Sequence, residues 1–398
     1  MNNKKKELEK EIQEKQIQIN ENEGDLNLKI PFMLNQEYEK PTLIGLNNIG
    51  GPNFMNPILQ CLSQTELLAN YFLKKTNEDK IINNNIALKN KNDLQLSPIF
   101  LELINKLWDK NENKSISPNN FKEIIEKINP LFKQDQSGNS KDFIIFIIEQ
   151  IHKELKRPNE SKIKIENPLD KYNKDSSFIH FFNEFQDNLS VISDIFFGFS
   201  EIASECLNCQ NNNKIKGLNT PICYNYEIFD CLVFPLLEVK NMKNTMNQSG
   251  NITLYDCFLY NQKKELFTED NKNYCNICNQ LYKSLYKTKI YMSPNVMIII
   301  LNRDIGESDI KLDFDEVLDI TQFVLVKDLP QITYNLYGVI SNIGQSEQDE
   351  HFIASCKSPI DYKWYRYDDA LVTPINDLKN DVINYGTPYI LFYQKKLK

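Results

Sequence analysis

The 398-residue sequence lacks any run of about 18 apolar residues, so we expect no membrane-spanning helix and no membrane contact. Its first residues, MNNKKKELEKEIQEKQ, have no apolar core of a secretory signal, which favours a cytoplasmic or nuclear protein. An excess of basic residues is missing too, since 46 Lys and Arg stand against 54 Asp and Glu, a net charge of −8. This balance argues against direct nucleic-acid binding and suits a basic protein partner.

The nine cysteines are an odd number in a chain without an export signal, so a disulfide framework is not expected. Four of them form two Cys-x-x-Cys units, CLNC with Cys206 and Cys209 and CNIC with Cys275 and Cys278, each in a hairpin-like context. Four thiolates at this spacing suit one tetrahedral, structural zinc ion. The alternative is two coincidental pairs of buried thiols. The remaining cysteines lie in apolar or strand contexts and are expected to be inert: Cys61, Cys223, Cys231, Cys257 and Cys356.

The pattern of apolar residues divides the chain into a charged arm and one folded region. Residues 1–40 are expected to be disordered or helical, and residues 41–397 to form the domain. Helical periodicity begins near Asn53, continues in two stretches that each start with Ser-Pro, and includes DFIIFIIEQIHKEL. After a polar loop at 157–177, short β-type runs follow, from SVISDIFFGFSEIASEC to PYILFYQKK, interrupted by a polar loop at 240–250. This order predicts an α+β fold.

Several blocks in a fixed order resemble a known family. They include GLNNIGGPNFMNPILQCL, DFIIFIIEQIHKEL, the two Cys-x-x-Cys units, SPNVMIIILNR, HFIASCK and KWYRYDDALV. Their order is similar to that of the ubiquitin-specific proteases, which are papain-like cysteine deubiquitinases. The resemblance implies a thumb at about 41–175 and a palm with zinc-ribbon fingers at about 176–397.

The resemblance also implies the positions of the active-site residues. Asn53 stands where the family has its nucleophilic Cys, and Asn48 matches the oxyanion-hole Asn, although an Asn in a turn is equally suited to local hydrogen bonding. His351 matches the general base, and Asp368 matches the residue that orients its imidazole. Asn53 is also a favourable N-cap residue, so we expect it to cap the helix that follows. If Asn53 is the cap, Pro57 is the fourth residue of the helix, and its missing N–H would forfeit the first intrahelical hydrogen bond, to the Asn53 carbonyl. Pro57 therefore agrees only in part with a cap at Asn53.

Other departures from the family surround the same site. Gly51-Pro52 replaces Asn-Thr, Glu350 replaces the Gly before the His, and Asn342 replaces a nearby His. In the segment that contacts the basic tail of ubiquitin in the family, residues 137–143, only Asp142 is acidic. Cys61 lies about 12 Å along the helix from Asn53 and is not expected to act as a substitute nucleophile.

These residues favour a non-catalytic family member that binds ubiquitin or ubiquitinated proteins, or acts as a scaffold in a multiprotein complex. The first alternative is an active thiol deubiquitinase that cleaves the isopeptide bond after the ubiquitin C-terminus. The second is a scaffold in a splicing complex, because GLNNI is similar to a noncatalytic branch of the family with that role. Zinc is the only cofactor expected.

Overall fold

The computed structural model describes residues 38–75, 95–110, 114–133, 139–157, 169–216, 221–266, 273–275, 277–303, 310–344 and 350–396. The charged arm predicted for residues 1–40 lies outside these ranges except for its last three residues. Within the described residues, no helix is long and apolar enough to cross a membrane.

The first part of the domain is built from helices. Its members are α1 (Met55–Ser63), α2 (Glu66–Asn70), α3 (Ser97–Leu107), α4 (Asn119–Ile128) and α5 (Ser140–Glu154). The buried residues of α5 recur at 143, 144, 147, 148 and 151, the spacing of one helical face, and they pack into the same core as α1 and α3. The four helical stretches predicted from periodicity are therefore confirmed, and α1 is fully buried.

The second part contains a long mixed sheet in the order β17-β16-β15-β14-β18-β11-β5, with β13 paired to β14. Its strands are β5 (Cys231–Pro235), β11 (Val296–Asn302), β13 (Val317–Asp319), β14 (Thr333–Asn342), β15 (Phe352–Lys357), β16 (Trp364–Asp368), β17 (Leu371–Ile375) and β18 (Thr387–Lys395). Only the β5–β11 pair is parallel among the described strands of this sheet; the other neighbours are antiparallel. We call it the main sheet.

Strand β11 shows how the main sheet organises the core. Ile298 and Ile300 join the cluster that contains the helices α1 to α5, whereas Met297 and Ile299 join a second cluster on the opposite face. Because successive side chains of a strand point to opposite faces, a strand covered on both sides must be apolar at every position. The sequence VMIIIL meets this requirement.

A separate antiparallel sheet in the order β4-β3-β10-β7 forms the fingers. It contains β3 (Gly198–Cys206), β4 (Ile222–Phe229), β7 (Lys264–Leu266) and β10 (Ser284–Met292). The hairpin of β8 (Asn273–Cys275) and β9 (Gln280–Tyr282) lies between β7 and β10 in the chain. Two pairs of two-residue strands complete the described strands: β1 (Gly45–Leu46) with β2 (Ser115–Ile116), and β6 (Ile252–Thr253) with β12 (Leu312–Asp313). The predicted α+β class is confirmed.

Five further helices were not predicted from the sequence. These are α6 (Lys174–Phe185), α7 (Val191–Phe196), α8 (Leu207–Lys216), α9 (Leu236–Thr245) and α10 (Leu254–Asn261). In α7 the Ser190 hydroxyl accepts hydrogen bonds from the N–H groups of Ile192 and Ser193, and the Ser193 hydroxyl accepts one from the N–H of Ser190. This capping box outweighs the strand preference of the following residues.

The polar loop predicted at 240–250 is also wrong in its first half. Helix α9 extends to Thr245 because Leu236, Val239 and Lys243 are buried along one face at helical spacing. Lys243 compensates its own burial by donating to Asp256 Oδ2 at 2.9 Å and to the carbonyl of Asn251 at 2.6 Å. A charged residue in a polar segment therefore became part of a packed face, which composition alone did not indicate.

Candidate active site and metal centre

His351 and Asp368 are brought together by two neighbouring strands of the main sheet. His351 immediately precedes β15, and Asp368 is the last residue of β16, which pairs with β15. The Nε2 atom of His351 lies 2.6 Å from Oδ1 of Asp368, and the two side chains are 40% and 37% exposed. Since Nε2 makes this contact, Nδ1 is the atom that remains for a reacting group, and we find no partner for it among the described residues.

Asn48 lies in the loop between β1 and α1 and is tied to the tip of the β16–β17 hairpin. Its Nδ2 donates to Oδ2 of Asp369 at 3.0 Å, while its Oδ1 accepts from the N–H of Gly50 at 3.0 Å. Gly50 and Gly51 have φ angles of 71° and 114°, a region that favours glycine. The Asn48 amide is thus fixed by contacts on both sides of the turn.

Asp369 is a residue of this site that the sequence did not single out. Its Oδ1 accepts from Nδ2 of the buried Asn56 at 2.7 Å, and its backbone carbonyl accepts from the N–H of Leu46 at 2.9 Å. Together with the contact to Asn48, these bonds fasten the hairpin tip to the start of the helical region. The signal available in the sequence was the adjacent pair Asp368-Asp369 in a turn between two strand patterns.

Asn53 does not cap α1, and that prediction was wrong. The N-cap position is Phe54 and has no side-chain capping bond. Asn53 is exposed, and its Nδ2 instead donates to the backbone carbonyl of Glu350 at 3.0 Å. Because the helix starts one residue later than expected, Pro57 is its third residue, where the missing N–H has no intrahelical acceptor anyway. The first intrahelical bond, from Ile58 N–H to the Phe54 carbonyl, is intact at 3.2 Å.

Asn342, at the end of β14, braces the loop that carries His351. Its Oδ1 accepts from the N–H of His351 at 3.2 Å and from the N–H of Gly344 at 2.9 Å. Its Nδ2 lies 3.5 Å from Oε1 of Glu350. Asn342 therefore fixes the backbone of the loop that carries His351.

Cys61 is fully buried in the core, with its Sγ 3.5 Å from the Sγ of Cys356. Burial raises the pKa of the Cys61 thiol well above its ordinary value, and the neighbouring Cys356 raises it further. A thiol that is shielded from water and disfavoured as a thiolate is a poor nucleophile.

The segment 137–143 is described only from Asn139 onward. Asn139 caps α5 by accepting from the N–H of Asp142 at 2.8 Å, and Asp142 lies in the first turn of the helix. Ser137 and Gly138 lie outside the described residues.

The four predicted metal ligands converge. The sulfur atoms of Cys206, Cys209, Cys275 and Cys278 all lie within 4.8 Å of one another, with Cys206 to Cys278 at 3.9 Å and Cys209 to Cys275 at 3.6 Å. Four Zn–S bonds of about 2.3 Å in a tetrahedron place the sulfur atoms about 3.8 Å apart. The donor set and its spacing therefore fit zinc.

The local structure of the two cysteine pairs differs. Cys275 and Cys278 belong to the β8–β9 hairpin, as predicted. Cys206 ends β3 and Cys209 lies in α8, at the connection between the antiparallel strands β3 and β4, so the predicted hairpin-like context is confirmed for that pair, with a helix in the connection. Burial opposes ionisation of Cys275, but the N–H groups of Cys278 and Ile277 point at its sulfur and lower its pKa to about 7. A thiol of this kind is deprotonated readily when a metal binds.

Comparison with known proteins agrees with this arrangement. The sequence profile of the ubiquitin carboxyl-terminal hydrolase family matches residues 44–393. Ubiquitin carboxyl-terminal hydrolase 2 of Bos taurus is 26% identical over 362 residues, which cover 88% of this chain and 55% of that protein. Ubiquitin carboxyl-terminal hydrolase 21 of Homo sapiens is 25% identical over 375 residues, which cover 88% of this chain and 61% of that protein. The chain thus spans little more than half the length of these relatives.

Among solved structures, the chain is similar to a chain of the SAGA DUB module that contains Ubp8, Sgf11, Sus1 and Sgf73 and is bound to monoubiquitin. The TM-score is 0.61 at 21% identity, and the match covers 89% of this chain and 70% of that chain. This likeness shows the fold, with its helical thumb, central palm sheet and cysteine-bearing fingers. The chain belongs to the ubiquitin carboxyl-terminal hydrolase family, among the ubiquitin-specific proteases.

Proposed function

We propose that this protein binds ubiquitin or ubiquitinated proteins and does not hydrolyse them. The observation that carries the proposal is the amide of Asn53, which lies at the start of α1 and contacts the residue next to His351. We assign Asn53 to the nucleophile position, His351 to the base, Asp368 to the residue that orients it, and Asn48 to the oxyanion position.

The chemistry of the family needs a thiolate at the first of these positions, because the substrate carbonyl carbon must form a covalent bond to it. An amide has no ionised form near neutral pH and forms no such bond. In a comparable Ser-His-Asp site, removal of the nucleophile lowers turnover by about 10⁶-fold. The general base, although held by a carboxylate, then has no thiol to deprotonate.

A substitute nucleophile finds no support. Cys61 is the nearest cysteine in sequence, and its sulfur is enclosed in the core beside Cys356 rather than directed at His351. The alternative of an active thiol deubiquitinase therefore lacks a reactive thiol in this part of the chain.

For the cofactor, we propose that Cys206, Cys209, Cys275 and Cys278 hold one structural zinc ion. Zinc supplies no catalysis there, since four protein ligands leave no open position. It fastens the β8–β9 hairpin to the end of β3, two segments about 70 residues apart in sequence. The fingers would then be a rigid surface for a protein partner.

The experiment combines a reactivity assay with a binding assay on the same preparation. The purified chain is incubated with a ubiquitin vinyl probe and with a fluorogenic ubiquitin substrate, and ubiquitin binding is measured by titration calorimetry. We expect no covalent adduct, no hydrolysis and saturable binding. An active ubiquitin-specific protease serves as the positive control for both reagents.

Two results would contradict the proposal. A covalent adduct that disappears in Cys61→Ala would establish an active thiol enzyme. An absence of both reactivity and ubiquitin binding would leave a scaffold of another assembly, such as a splicing complex, as the remaining candidate.

A further inference from the structure

The fingers sheet carries a groove that is lined by lysine side chains. The lysines are Lys174 at the start of α6, Lys264 of β7, and Lys287 and Lys289 of β10. The groove encloses about 250 Å³, and no residue of the candidate active site lines it. Its apolar lining includes Ala203, Leu285 and Leu325. We call it the lysine groove.

Two acidic residues line the lysine groove, and each is paired with one of the lysines. The Oε2 atom of Glu201 lies 2.7 Å from Nζ of Lys174. The Oε1 atom of Glu205 lies 3.8 Å from Nζ of Lys264. The acids of the groove therefore compensate only half of its positive charges.

Lys287 and Lys289 are half-buried, yet neither has an ion pair among the residues that the structure describes. Lys287 stands directly opposite Lys264 in the register of β10 and β7. Like charges at directly opposite positions destabilise a pair of strands. Lys289 stands opposite Glu201, whose carboxylate is already bound to Lys174. Because an anion in the groove would offset the repulsion, this arrangement favours a negatively charged ligand.

We propose that the lysine groove binds an acidic, extended segment of a protein partner. Lys287 and Lys289 are two residues apart in β10, so their side chains leave the same face about 6.6 Å apart. Alternate side chains of an extended segment have the same spacing, so two carboxylates at alternate positions reach both lysines. An apolar side chain of the segment then packs on Ala203 and Leu285. A nucleic acid is disfavoured, because the net charge of the chain is −8. The inference goes beyond the proposed function, which concerns ubiquitin.

The test measures the binding of a fluorescein-labelled peptide of alternating Glu and Ser to the full chain by fluorescence anisotropy. The double variant Lys287→Gln/Lys289→Gln should bind it about tenfold more weakly, the combined effect of two partly exposed ion contacts. The matched control Lys240→Gln/Lys363→Gln removes two exposed lysines outside the groove and should bind within about twofold of the native chain. The same peptide with Gln in place of Glu should not bind.

Urea denaturation gives a second, independent measurement. Lys287→Glu places opposite charges at the position where Lys287 faces Lys264. It should therefore raise the urea concentration at the midpoint of unfolding and abolish peptide binding. A variant that gains stability and loses binding is typical of a position that is kept for function.

Several results would overturn the inference. If the native chain did not bind the acidic peptide at about 1 mM, the groove would have no such ligand. Equal weakening in both double variants would show attraction by overall charge rather than by the groove. Tighter binding of inositol hexakisphosphate than of the peptide, lost in Lys287→Gln/Lys289→Gln, would identify a polyphosphate ligand instead. A lower midpoint of unfolding for Lys287→Glu would show that Lys264 and Lys287 do not repel each other.

Discussion

Asp230 should make the free energy of unfolding of this protein fall as pH rises, which is the opposite of the usual effect of an aspartate. It lies between β4 and β5, half-buried, at the junction of the fingers and the main sheet. Burial and, to a smaller extent, the negative charge of Glu149 raise the pKa of its carboxyl from 3.8 to about 6. The N–H groups of Asp230 and Cys231 donate to the carboxylate and offset part of this effect.

The sign follows from proton binding in the two states. Between pH 4 and pH 6 a larger fraction of Asp230 is protonated in the folded state than in the unfolded state. The free energy of unfolding therefore falls as pH rises through this range. Above about pH 6 the folded protein carries a disfavoured charge. The difference between the two pKa values corresponds to about 3 kcal/mol.

The variant Asp230→Asn removes this charge while its side-chain oxygen can still accept the same hydrogen bonds. We expect it to raise the free energy of unfolding by up to about 3 kcal/mol at pH 8 and by close to zero at pH 4. Urea denaturation followed through the buried Trp108 and Trp364 measures both values. Comparing variant and native protein at each pH cancels the contributions of other titrating groups.

Glu149→Gln is the matched control, because it removes only the neighbouring charge and should give a smaller gain with the same pH dependence. If Asp230→Asn raised the free energy of unfolding equally at pH 4 and pH 8, the substitution would act through packing rather than through titration. A gain below about 0.5 kcal/mol at pH 8 would show that the carboxylate is not disfavoured in the folded protein.

Three further outcomes are expected. Metal analysis of protein prepared without chelators should find one zinc per chain, and Cys275→Ser should increase hydrogen exchange in the fingers more than in the thumb. Asn53→Cys should restore at best slow labelling by the ubiquitin probe, with negligible turnover, and Glu350→Gly should be needed in addition. Lys243→Ala should lower the free energy of unfolding by about 3 to 5 kcal/mol in urea denaturation, since it removes the charged partner of the buried Asp256 carboxylate and leaves only its bonds from Thr253.

Each of these outcomes can be contradicted. A content of less than about half a zinc ion per chain would contradict the proposed metal site. Turnover of Asn53→Cys equal to that of an active family member would show that the nucleophile is the only defect. A Lys243→Ala variant as unstable as the double variant with Asp256→Ala would show that lost packing, rather than an unpaired charge, causes the effect.

The elements with strong periodicity could be predicted from the sequence, whereas those defined by local hydrogen bonds could not. Helix α5 and strand β11 are long and regularly patterned, so one property, burial, sets both their sequence and their structure. The short helix α7 depends on the capping box at Ser190, and its apolar residues are equally compatible with a strand. For α9 the deciding contact is between Lys243 and Asp256, which lie on different helices.

The sequence by itself predicted the four cysteines that could hold a metal, because two Cys-x-x-Cys units have a spacing that suits zinc, and the resemblance to the family implied the pair of His351 and Asp368. Only the tertiary structure decided that Asn53 turns away from α1 and donates to Glu350, a residue 297 positions later. It also decided that Asp369 joins Asn48 to Asn56. Such contacts depend on the conformation of loops that are distant in sequence. Neither hydrophobic periodicity nor local propensity indicates which partner a loop side chain will contact.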